Sequence, residues 1–278
     1  MPLSKRRRAI SIAAFAAIII ALITGIVLTP ARPHDESITE VMRDAVLHET
    51  GKISLFGLIE VNPGLISAFT VSAVLIIAAA AIRIFWIPKF RMKPGKFQYM
   101  LEKAVGLFSS IAGENSPHKP FFIGGYIFAA GTYIFFSTLF ELLGLQVITV
   151  HGTPISLPAP LSDINGAIAM GVFSYSVILI GGLINNGIKG MLHALKDFSL
   201  PISMSFRLFG ALLSGALVTE LVYYYAITSY VLPVIVAVMF TLIHALIQAY
   251  VLITLVSIFY GESSEKSPKK EKVKNRKS

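Results

Sequence analysis

Apolar residues in this chain of 278 fall into long runs separated by short polar segments. A membrane-crossing helix needs about 20 mostly apolar residues, because it rises about 1.5 Å per residue through roughly 30 Å of hydrocarbon. Runs of that kind lie at Ala9–Thr29, Leu65–Ile87, Phe121–Leu145 and Ile164–Ile188. Two longer runs follow, Leu200–Ser229 and Val231–Tyr260, with Pro233 near the bend between them. Helices of that length are expected to tilt, to extend past the hydrocarbon, or to lie partly against another protein. The pattern predicts an all-α polytopic membrane protein: five core membrane helices ending in a long tilted hairpin, one amphipathic interfacial helix, and an extra N-terminal span or signal peptide.

The segments between the runs have their own signatures. Pro30–Pro63 is mixed and polar, with helical potential around Ile38–Glu49. In Phe97–Ile111 the apolar residues Phe97, Met100, Leu101, Leu107, Phe108 and Ile111 recur near helical spacing, as expected of a helix lying in the membrane interface. Val150–Pro160 holds Pro154, Pro158 and Pro160 and is expected to be a loop, after which Asp163 caps the fourth span. Glu262–Ser278 is too polar to fold alone.

Charge orients these spans. Short loops on the cytoplasmic side are enriched in Lys and Arg. With Arg6–Arg8 inside, six alternating spans leave Lys89, Arg91, Lys93 and Lys96 inside, then Lys189 and Lys196, then the basic tail. A basic start followed by an apolar core also describes a signal peptide. The run is long for one and lacks an A-x-A site before Ala31, so an uncleaved anchor is the leading expectation. Cleavage would leave five spans and change nothing downstream. The expected divisions are an anchor or signal peptide at 1–30, an extracytoplasmic segment at 31–63, a membrane domain at 64–261 and a basic cytoplasmic tail at 262–278.

Composition narrows the function classes. The chain is 55% hydrophobic and 14% charged, against roughly 45–50% and about 25% in soluble proteins. Of the net charge of +9, +8 sits in residues 5–8 and 262–278, leaving the body near neutral. A nucleic-acid interface would carry its cations on a folded face with aromatics between them. The absence of cysteine excludes disulfides, thiolate metal sites and a cysteine nucleophile.

An ionisable side chain at the bilayer centre costs about 2.5–3.5 kcal/mol, so each one requires a reason. Arg83 lies a turn from the inner end of its span and can snorkel. Glu141, near the outer end of its span, reads either as an interfacial residue or as lining of an ion path. Arg207 lies well inside the fifth span with no carboxylate three or four residues away, and a guanidinium stays protonated in proteins. Ser203, Gly210, Ala211 and Ser214 share its helix face, a stripe on which another helix can approach closely. A carboxylate partner elsewhere, even on another chain, or a buried structural ion pair would both account for it. Thr241, His244 and Gln248 form a second polar row along the sixth span.

The segments S-F-R-L-F-G-A-L-L-S-G at Ser205–Gly215, I-Q-A-Y at Ile247–Tyr250, P-L-S-D-I-N at Pro160–Asn165 and F-F-S-T-L-F-E-L-L-G-L at Phe135–Leu145 together resemble subunit a of F-type ATP synthases, in order and spacing over roughly residues 60–260. The resemblance implies a membrane stator that conducts H+ or Na+ through two offset half-channels and performs no chemistry or cofactor binding of its own. Arg207 would face the carboxylate of a ring of small rotor subunits, subunit c, with Gln248 across the hairpin from it. Ser203, Gly210, Ala211, Ser214 and Gly215 would face the rotor. A peripheral stalk subunit b, the rest of the synthase and the bilayer of a bacterial plasma membrane would complete the surroundings, with no nucleic acid.

Several positions depart from the family pattern. The Asn expected four residues after the arginine is Ala211, and the His or Glu expected nine after is Ala216. Glu220, one turn further along the same face, is expected to line the outer half-channel instead. If Arg207 faces Gln248, an antiparallel hairpin sets His244 opposite Ala211, where it would supply the missing polarity. His193 stands where the family has a Glu before the arginine, and the stretch leading to Arg207 is short. Two other classes compete. An autonomous secondary transporter would use Arg207 as a substrate-anion site but should show repeats or broken helices. A membrane enzyme would need a nucleophile–base or metal motif, and none is present.

Overall fold

The computed structural model describes residues 53–55, 59–116, 120–148, 154–224 and 232–265, with 17, 20, 24, 37–40 and 43 besides. Almost all of the Ala9–Thr29 run and the tail beyond 265 lie outside these residues. Two strands, β1 (Ile53–Leu55) and β2 (Ile59–Val61), form an antiparallel hairpin with Ile53 opposite Val61. Helix α1 (Pro63–Ala81) continues through a π turn at Ile82–Trp86 and a 3₁₀ turn to Lys89. The interfacial helix α2 is Lys96–Asn115, and α3 is Pro120–Phe140, ending in a 3₁₀ turn at Glu141–Leu143. A second hairpin pairs β3 (Gln146–Ile148) with β4 (Pro154–Ser156). Then come α4 (Ile164–Leu195), α5 (Ser199–Tyr224) and α6 (Leu232–Ser264). Five of the described helices are long and apolar enough to cross a membrane.

The sequence places the helix starts. Asn62 caps α1, its Oδ1 accepting from Gly64 N at 2.9 Å with Pro63 in the first turn. Asp163 caps α4, accepting from Asn165 N at 3.3 Å, as its position before the fourth run predicts. Both hairpins fall where the sequence reading expects polar loop. Three-residue strands are too short for alternation to declare itself.

Helix α6 is the post of the bundle and packs against α2, α3, α4 and α5. The core runs from Ile123, Ile127 and Ile134 on α3 through Ile178 on α4 to Leu252, Val256 and Tyr260 on α6. Close approach is made at small residues. A Cβ on Gly181 would overlap the Tyr260 ring, and one on Gly261 would overlap the Asn115 carbonyl. Serines bind the end of α2 to α6: Ser116 donates to Ser257 O at 2.7 Å and Ser257 donates to Ile111 O at 3.2 Å. These bonds pair two fully buried serine hydroxyls with helix carbonyls. Phe122, Gly181 and Tyr260 gather at one end of the bundle, while Gly64 meets Asp163 at the other.

The fourth span differs from expectation. It reads as one rod but contains Gly187 at φ 62, ψ −152, a region essentially restricted to glycine. Beyond it the helix reverses: Gly190 abuts the Gly182 carbonyl, and the Tyr175 hydroxyl donates to Ala194 O at 3.1 Å. In a continuous helix, residues 175 and 194 would stand about 28 Å apart. The straight segment therefore ends before Gly187, and 188–195 folds back along it. Spin labels at Ser176 and Leu195 are expected to lie well under that ~28 Å separation, and Gly187→Ala should lengthen the distance. A separation near the continuous-helix value in the unmutated protein would contradict the reversal.

Candidate functional site

Helix α5 has two unlike sides. Met204, Leu208 and Leu212 are buried in the core and Ser205 packs at Gly171 of α4, its hydroxyl donating to Pro201 O at 2.7 Å. The other side carries Ser203, Phe206, Arg207, Gly210 and Ser214, all exposed. A Cβ added at Gly210 or Gly215 would meet nothing within 4 Å. The small-residue stripe predicted for close helix approach is therefore bare of the other described residues. Among the described residues, no hydrogen bond or ion pair engages Arg207. An intrachain structural ion pair, one of the two readings open from the sequence, is not formed among them.

The row on α6 sits at the margin of its packed face. Gln248 is 7% exposed, beside the buried Ala245 and Ala249, while Thr241 and His244 are half-buried. His244 Nδ1 lies 2.8 Å from Phe240 O, and its ring stacks on Phe240 with centroids 5.6 Å apart. A carbonyl can only accept, so Nδ1 carries the hydrogen of that bond. Glu141 opens the 3₁₀ turn at the end of α3 and is half-buried. Glu220 lies on α5, with its side chain outside the described set.

The reversal at Gly187 changes the setting of His193. A small recess gathers His193 with Tyr175, Ile178, Asp197, Leu200 and Glu262. Tyr175 and Ile178 lie about a dozen and nine residues before Gly187 on α4, so the folded-back segment carries His193 and Asp197 roughly 13–18 Å back along the bundle. Leu200, at the recess, and Arg207 are seven residues apart on one face of α5, about 10 Å along its axis. The sequence reading singles out His193 but not Tyr175, Asp197 or Glu262. Their meeting depends on the reversal at Gly187, whose local signal is the Asn185–Asn186–Gly187 run followed by Lys189 and Gly190.

If the two sides of α5 differ as described, glycine substitutions should separate them. Gly210→Ala is expected to leave thermal stability of the purified chain unchanged, whereas Gly181→Val should destabilise it by about 1–3 kcal/mol through overpacking against Tyr260. Equal losses from both would show that the stripe is packed.

The sequence model of one protein family, described as ATP synthase A chain, matches residues 67–261, well over half of the chain. The match takes in Arg207, His244 and Gln248 and nearly all of the helical bundle.

Proposed function

Since this chain belongs to the ATP synthase A chain family, a subunit of the membrane sector of the synthase, we propose that it is the ion-conducting stator: Arg207 faces a ring of small rotor subunits, and ions reach that ring through two offset half-channels. The observation that carries this reading is a permanent cation without an intrachain partner among the described residues, on a bare serine- and glycine-lined face of a membrane helix. Such a charge is costly unless an anion or water meets it. A rotor carboxylate passing along the stripe would be held ionised in front of Arg207 and would exchange its ion on either side. The same guanidinium bars a direct leak between the half-channels.

The residues divide the path as follows. Ser203, Gly210, Ala211, Ser214 and Gly215 allow the ring to pass close to α5. Gln248 and His244 border the arginine from α6, and His244 fills the space and supplies the polarity that Ala211 lacks. Glu220 and Glu141 serve the outer half-channel. His193 serves the inner one, joined by Asp197 and Glu262 at the recess beside Leu200. The charge pattern supports a cytoplasmic setting for this recess and the C-terminus, in a bacterial plasma membrane. ATP is made elsewhere in the complex, and this subunit contributes ion access and no bond-making step.

Two measurements test the reading. Arg207→Ala is expected to abolish ion-driven ATP synthesis in membranes while the chain still inserts and assembles, and retained coupled synthesis would overturn the role given to Arg207. Purification should bring down a small two-span ring protein and a peripheral stalk. A chain that purifies alone and transports a solute would instead be an autonomous transporter.

A further inference from the structure

We propose that the groove between the end of α1 and the start of α2 is a binding site for the phosphate of an anionic phospholipid. The groove, about 460 Å³, is lined by Lys89, Arg91, Lys93 and Lys96 together with Trp86 and Phe97. Among the described residues, no carboxylate lines it. The nearest acid along α2, Glu102, accepts from Gln98 Nε2 at 2.7 Å. The loop is shaped, not slack: Gln98 Oε1 accepts from Arg91 N at 3.1 Å, and its Nε2 donates to Arg91 O at 2.9 Å. That two-point clamp fixes the basic loop against α2. The π turn at Ile82–Trp86 adds a residue to the helix and brings Trp86 to Phe97, with ring centroids 5.6 Å apart.

Three features select a lipid over a soluble anion. The cations stand at the end of a span whose sides are apolar and open, with Ile76, Ile77, Ile84 and Phe85 each at least 60% exposed. Helix α2 extends from the groove with Tyr99, Met100 and Leu107 also exposed, as an interfacial helix requires. Aromatic residues at that level suit the headgroup region. A diester phosphate in the groove would leave its acyl chains along the open side of α1. Basic residues at a membrane surface each strengthen attraction to anionic lipid by roughly fivefold. The site lies outside the ion path and does not depend on the function proposed for Arg207.

The test uses the full chain in its complex, in nanodiscs of phosphatidylcholine doped with phosphatidylglycerol, with retained lipid measured by native mass spectrometry. Phosphatidylglycerol should be retained preferentially. Lys89→Gln, Arg91→Gln, Lys93→Gln and Lys96→Gln combined should cut that preference at least about tenfold. Lys89→Arg, Lys93→Arg and Lys96→Arg combined should preserve it. In the unmutated protein, retention should fall as salt shortens the screening length from about 10 Å at 0.1 M to about 3 Å at 1 M, and inorganic phosphate at constant ionic strength should not displace the lipid. Absence of a preference, indifference to salt, displacement by phosphate, or a preference unchanged in the four-residue variant would each overturn the site.

Discussion

Met204, Leu208 and Leu212 seal one side of α5 against its neighbours, and that packing leaves Arg207 facing out. The opposite side carries Ser203, Gly210, Ser214 and the Arg207 guanidinium, with the exposed Phe206 beside them. Two unit charges 4 Å apart attract by about 4 kcal/mol at an effective dielectric of 20. A cation on a membrane helix with no partner among the described residues is therefore a strong reason for a negatively charged partner to come to it. The fold supplies the charge and the clearance for the partner proposed above.

The support for that face is a set of close helix approaches. Gly181 meets the ring of Tyr260, Gly261 meets the carbonyl of Asn115, and the serine pair at 116 and 257 ties α2 to α6. In a bilayer, packing and buried hydrogen bonds replace the hydrophobic effect as the force between helices. These contacts hold α6 in place, and α6 in turn backs α5. The reversal at Gly187 uses the same economy of side chain to bring the exposed His193 and the half-buried Asp197 back along the bundle, beside Tyr175.

Much of this was legible in the sequence. The five spans from residue 63 onward follow from apolar run length, the caps at Asn62 and Asp163 are local side-chain chemistry, and α2 follows its amphipathic spacing. Arg207 stands out because charge at depth is rare. The strands at 53–61 and 146–156 are three residues each, too short to show a period. The turn at Gly187 does carry a local signal, Asn185–Asn186–Gly187, but it sits at the end of a long apolar run whose length reads as one span. The recess is also a long-range result, joining α4, α5 and α6 through residues far apart in the chain.

The central claim is that the bare side of α5 is where the rotor ring passes. Cysteines placed singly at Ser203, Gly210 and Ser214 in the assembled complex, treated with a short bifunctional reagent, test it most directly, with cysteines at the exposed α1 residues Ile76 and Ile77 as the comparison. The account predicts cross-links to the small ring subunit from the three α5 positions and none from α1. Cross-links to the ring from α1, with the α5 positions silent, would contradict it.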